Sequence, residues 1–222
     1  MNQLTWLRAT GTCIAVVLIA YAAFSFLADL GRSRLRADDL FTGRFQPEAG
    51  TTGFASTILA ALFPFDGDLQ SDHAIAKTAQ VLNQPALDPS TRADDNQAAQ
   101  GAVTAALTVS PVRPALWLAL ATLKARTDAA VLPALKASYL TGPVSSDVAF
   151  MRLQAVTSSS AAADEELRLL ALSDIRTVLS NRSRFESALI AAYVQATAAG
   201  KTLLMESARA LDPKFSDLLR RY

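Results

Sequence analysis

The first pattern along the chain is an apolar run without period. Residues 9–28 (ATGTCIAVVLIAYAAFSFLA) hold no charge and are bounded by Arg8 and Asp29. At about 1.5 Å per residue, a helix of this length matches a hydrocarbon core of roughly 30 Å, so a membrane span is expected. From 31 to 53 the chain turns polar, rich in charge, Gly and Thr, with Pro47, and reads as a juxtamembrane linker. The apolar piece 54–65 (FASTILAALFPF) is too short to span again. It carries no Lys or Arg, which favours a core helix over a segment lying on the bilayer surface. The following DGDLQSD (66–72) lacks the ligand spacing of a calcium loop and reads as a turn in which Ser71 or Asp72 caps the next helix.

Beyond this point helical signals alternate with Pro and Gly, and runs of β-branched residues are nearly absent. Helices are predicted over 72–83, 92–109, 114–126, 129–140, 146–157, 163–180, 184–199, 202–211 and 214–221. Several carry apolar stripes close to i, i+3, i+4, i+7 spacing, such as Leu167, Leu170, Ile175, Val178 and Leu179, then Phe185, Leu189, Tyr193 and Val194. Each such helix needs neighbours. Ala98, Ala99, Ala102, Ala105 and Ala106 let backbones approach, which suits stacked antiparallel pairs. The expected fold class is all-α: an N-terminal tail and transmembrane helix (1–30), the linker (31–53) and an α-solenoid of helical hairpins (54–222).

Charge narrows the partners. From Pro47 onward 16 Lys and Arg face 17 Asp and Glu, a balance that argues against nucleic acid. The single cysteine, Cys13, lies inside the apolar run, so the rest of the chain holds no thiol. A cleaved signal peptide is the alternative to an anchor, since Ala20-Tyr21-Ala22 has the small-x-small form; cleavage there would leave Phe24, Phe26, Leu27 and Leu30 at the new terminus, and retention is preferred. Cys13 opens the apolar stretch, which is the wrong end for lipid attachment, and it reads as a small apolar residue facing lipid. Arg32, Arg34 and Arg36 follow the span and only Arg8 precedes it, which by the positive-inside count favours a cytoplasmic domain. The short tail reads instead as an uncleaved export signal, and the expectation is a single-pass inner-membrane protein with a periplasmic domain, the cytoplasmic orientation remaining open.

The stretch ALTVSPVRPALWLALA (106–121) resembles the joint between two tetratricopeptide repeats, in which a helix ends in Ala, a Pro makes the turn, and the next helix opens with Trp, Leu and a small residue. Ala106, Pro111, Trp117, Leu120 and Ala121 stand at the family's relative spacings. ALDP recurs at 86–89 and 210–213, and Pro111 and Pro213 are 102 residues apart, three periods of about 34. One and two periods after Pro111 the chain has Ser145 and Leu179, and the helix after that of Trp117 contains Pro133, so a degenerate form of the repeat is implied across 72–222. The order of Trp117, then PALKASYLTGP (133–143), then an Arg-containing helix is also similar to small membrane-anchored proteins of bacterial surface-polysaccharide loci, which implies a cell-envelope role and transfers no residue.

Catalytic, cofactor and metal sites are expected to be absent. AAGKT (198–202) ends like a phosphate-binding loop, but Gln195 stands where its first Gly belongs and no strand precedes it; Gly200 reads as a left-handed helix stop and Lys201 as a solvated side chain. His73, the sole histidine, reads as a capping or surface residue. Asp164, Glu165 and Glu166 fit the first turn of a helix, where they offset its dipole. Residues 158–163 read as a flexible loop, and Asn181-Arg182-Ser183 as a chance glycosylation triplet.

The function expected from these features is a membrane-anchored, non-enzymatic scaffold of the bacterial cell envelope that holds a protein partner on the concave side of its hairpins, accessory to surface-polysaccharide production, and binds neither nucleotide nor nucleic acid. One alternative is a glycan-binding or glycan-acting accessory lined by Trp117, Tyr139 and Tyr193. Another is a structural subunit whose span packs into a membrane complex through Gly11, Ala15, Ala20, Ala22, Ala23 and Ser25.

Overall fold

The computed structural model describes residues 3–31, 40–41, 51–83, 88–126 and 130–222; in the first helix side chains are described at 8, 10–23 and 26, and in the second from 57 onward. Among the described residues there are eleven α-helices and no strand: α1 (Gln3–Gly31), α2 (Thr51–Leu62), α3 (Gly67–Asn83), α4 (Pro89–Val109), α5 (Pro114–Ala125), α6 (Leu132–Leu140), α7 (Ser146–Thr157), α8 (Glu165–Ser180), α9 (Arg182–Gln195), α10 (Ala198–Leu211) and α11 (Pro213–Leu219). Arg32, Arg34, Arg36, Pro47, the first two residues of the earlier ALDP, and the side chain of Ser25 lie outside the described residues.

Local chemistry sets the helix starts. Asp88 accepts from the amides of Ser90 and Thr91, both at 3.2 Å, with Pro89 opening α4. Asp164 accepts from Leu167 N at 2.9 Å, Thr197 from Gly200 N at 3.1 Å and Asp212 from Phe215 N at 3.1 Å. Each satisfies an amide that the first helical turn leaves orphaned.

Adjacent helices pair, α3 on α4, α5 on α6, α7 on α8 and α10 on α11. Contacts also run from α3 to α5, from α5 to α7, and from α6 to α8. The central helix is α5, with Leu116, Leu118, Ala119, Ala121 and Leu123 all fully buried. Leu40 and Phe41, in the expected linker, pack against this core.

Several expectations need correction. Helix α3 begins well before 72 because Asp66, not Ser71 or Asp72, is its cap: its carboxylate accepts from Asp68 N at 3.0 Å and Leu69 N at 3.1 Å. Residues 158–163 are no loose loop, since Ser160–Ala163 forms a 3-10 turn that buries Ala161 and Ala162. Gly200 does not end a helix. It lies in the first turn of α10, and Gly142 is the described glycine with positive φ. Val194 is exposed, off the stripe it was assigned to. Of the described side chains in 54–65, Ala60 is buried and Leu59 and Phe63 are half-buried, as a core helix requires, while Ile58, Leu62 and Phe65 face outward.

Among the described residues no helix is long and apolar enough to cross a membrane. In α1 the unbroken stretch of described side chains is 10–23, short of the roughly 20 residues a bilayer core requires. Within that stretch Ile14, Val16, Val17, Leu18, Ile19 and Tyr21 are exposed, so apolar side chains point to all sides of the helix.

Candidate functional sites

The first cleft, about 460 Å³, opens where α5 and α7 run side by side. Small residues make it. Ala121 and Ala125 on α5 and Ala155 on α7 leave a trough, with Met151 and Val131 adding apolar wall. Its polar groups are Thr122, Gln154 and Ser158 to Ser160. Thr122 Oγ1 donates to Leu118 O at 2.9 Å, Ser158 Oγ to Gln154 O at 2.7 Å and Ser159 Oγ to Ala155 O at 2.8 Å. Their protons are thus committed to their own helices while their oxygens can still accept. Among the described residues no charged side chain lines this cleft. Such a surface suits an uncharged segment with small apolar side chains and backbone amides to donate.

The second cleft, about 580 Å³, lies between α8 and α10. Leu169, Leu172 and Leu203 form its apolar surface, and Arg168 bridges it to Glu206 at 3.1 Å. Ser207 Oγ is buried there without a hydrogen-bond partner.

Among the described residues a charged cluster lies in the interior. Arg152 of α7 makes a two-pronged pair with Asp174 of α8, Nε to Oδ2 and a terminal nitrogen to Oδ1, both at 2.7 Å. Its other terminal nitrogen donates to Ser138 O at 2.9 Å, and the guanidinium lies 3.8 Å from the centre of the Tyr139 ring. Burial, reinforced by the Asp174 charge, pushes the Tyr139 hydroxyl above its ordinary range, and that hydroxyl has no hydrogen-bond partner. Chemically the cluster is a staple across α6, α7 and α8. Sequence reading passed over Arg152 and Asp174, although each stands on a core stripe: Ala149, Arg152 and Val156 on α7, Ala171, Asp174 and Val178 on α8. A charge at such a position is the signal that would have found them.

The residues singled out from sequence are scattered. Trp117 is half-buried against the core, its indole donating to Pro111 O at 2.8 Å, so it is less enclosed than the repeat resemblance implies. Tyr139 lies under Arg152, and Tyr193 carries Lys201 at 5.4 Å over its ring. These three aromatics line neither of the two clefts described. His73 is half-buried in the middle of α3, Nδ1 3.5 Å from Thr57 Oγ1, and is no helix cap; burial, with Lys77 nearby, lowers its pKa. Asp164 caps α8, and Lys136 reaches both it (3.2 Å) and Glu166 (2.6 Å). Asn181 Nδ2 donates to Thr177 O at 2.9 Å, and Arg182 pairs with Glu186 and Asp212. Gly11, Cys13, Ala15, Ala20, Ala22 and Ala23 are exposed on α1. Among the described residues no group of His, Cys, Asp or Glu is gathered as a metal site.

Comparison of the chain with family models, curated proteins and solved structures finds no match.

Proposed function

We propose that the chain is a membrane-anchored, non-enzymatic scaffold that holds a protein partner in the cleft between α5 and α7. The observation that carries this reading is the chemistry of that cleft, whose described lining is small, uncharged side chains and acceptor hydroxyls. The reading is supported by the helix pairing, α3 with α4, α5 with α6 and α7 with α8, and by the contacts of α3 with α5 and of α5 with α7, which a tetratricopeptide-like stack would produce. Stacks of that kind present their first helices along a concave binding face, and the cleft lies between two of them.

For the anchor, the support is the uncharged sequence 9–28 and the all-round apolar exposure of α1. Thr12 Oγ1 donates to Arg8 O at 2.8 Å, which satisfies a hydroxyl within its own helix, as a lipid setting demands. The inner membrane, with the helical domain on the periplasmic side, is the placement proposed.

The test is site-specific photocrosslinking in the living source cell. A benzophenone amino acid in place of Gln154 should give a discrete adduct with a protein, and the same probe in place of the exposed Thr104 on α4 should not. A Met151→Glu substitution, which brings a charge into the cleft, should abolish the adduct. Absence of a Gln154 adduct, or equal adducts from both positions, would sink the proposal.

A further inference from the structure

The outer side of α2 is apolar and bare. Its inner side is held: Ala60 is buried, and Gln70 of α3 donates through Nε2 to Ala60 O at 2.7 Å and Phe63 O at 3.5 Å. The corner into α3 is fixed as well, since Asp66 N donates to Phe63 O at 3.1 Å while the Asp66 carboxylate caps α3. On the outer side Ile58, Leu62 and Phe65 are 43%, 57% and 89% exposed. Ile58 and Leu62 stand at i and i+4, a short stripe on one face of α2, and Phe65 lies in the turn that follows it.

We infer that this stripe lies in the headgroup and acyl boundary of the lipid bilayer, beside the anchor. The inference rests on the anchor reading of α1. Helix α2 touches α1, so the stripe is held within reach of the surface that α1 would enter. Tethering of this kind makes insertion effectively intramolecular, and a short stripe then suffices where a free helix would need more area. The helix sequence TTGFASTILAAL carries no charge, which removes attraction to anionic headgroups as the cause and leaves apolar insertion, independent of salt. Because Gln70 and Asp66 lock α2 to α3, a stripe seated in lipid also fixes how the helical domain stands on the membrane.

The experiment uses the full chain with Cys13→Ser, reconstituted in phosphatidylcholine nanodiscs and carrying one environment-sensitive fluorophore. The fluorophore is attached through Leu62→Cys, through Val17→Cys in α1, or through Val112→Cys, an exposed position between α4 and α5. Spin-labelled lipids quench from near the headgroup or from deep in the acyl chain. At position 62 blue-shifted emission is expected, quenched mainly by the shallow label and unchanged by high salt, with position 17 quenched by the deep label and position 112 by neither. Emission at 62 matching that at 112, while 17 is quenched, overturns the inference and leaves the anchor standing. Loss of quenching at both 17 and 62 overturns both. A blue shift at 62 without lipid quenching means that protein, a second copy or a partner, covers the stripe, and also overturns it. An unchanged far-ultraviolet circular dichroism spectrum for each labelled chain excludes misfolding as the cause.

Discussion

A guanidinium removed from water is tolerated only while its partners stay in place, and Arg152 has three: both oxygens of Asp174 and the carbonyl of Ser138. Asp174→Ala leaves that charge stranded and should cost about 3–5 kcal/mol in urea melts. The double change Arg152→Met with Asp174→Leu, which removes both charges and keeps volume, should cost far less than the sum of the single changes. Additive losses would mean that the pair is not coupled. His73 gives a second prediction. Its folded pKa lies below the ordinary value of 6.5, so the unfolded chain binds the extra proton first. The stability it supports is complete above about pH 6.5 and is lost as pH falls through the depressed folded value, levelling off below it. Thermal melts across that interval should show a steeper acid loss for the wild type than for His73→Gln, and parallel profiles would refute the assignment. Trp117→Ala, at a half-buried indole, should fall at the low end of the roughly 3–5 kcal/mol range for large aromatics.

At the scale of elements, the order of helices was readable while their caps were not, and the errors have physical causes. The helix 146–157 was expected at the bounds observed. Asp66 was passed over as the cap of α3 because Gly67, a poor helix former, follows it. Gly67 is there for space: a Cβ would meet the Ser110 side chain at the end of α4. Gly200 misled in the same way. Its small size serves a close approach to the backbone of Thr157, whose carbonyl also accepts from Thr197 N at 3.0 Å, and no sequence window reports a contact with a residue so far away. The two glycines make a paired prediction. Gly200→Ala drives a methyl into backbone that cannot rotate away and should cost about 1–3 kcal/mol. Gly67→Ala meets chiefly the Ser110 hydroxyl, which can change rotamer, with Ser110 Cβ at 3.2 Å and Val109 Cγ1 at 3.7 Å behind it, and the gain of up to about 1 kcal/mol in helix propensity offsets the crowding. Equal melting temperatures for the two variants would refute the distinction.

Across the whole molecule, the all-α class followed from period and punctuation alone, because short amphipathic helices between Pro and Gly admit few other readings. The clefts did not. Each is assembled from helices distant in the chain, and the residues that form the first, such as Ala121, Gln154 and Ala155, look ordinary in isolation. The proposed anchor is the opposite case, since one uncharged stretch, 9–28, would carry it. The two parts should therefore separate cleanly. The full chain is expected to stay with membranes through carbonate and high-salt washes, because apolar insertion, unlike surface charge, is insensitive to both. The fragment from residue 53 onward keeps the caps and the buried core residues, losing Leu40 and Phe41 from the core's edge, and should give a helix-dominated circular dichroism spectrum without the anchor. The tethered α2 stripe alone exposes too little apolar surface for stable attachment, so this fragment should remain in the wash supernatant. A full chain that washes off, or that is released in a shortened form, would show that 9–28 is no retained span.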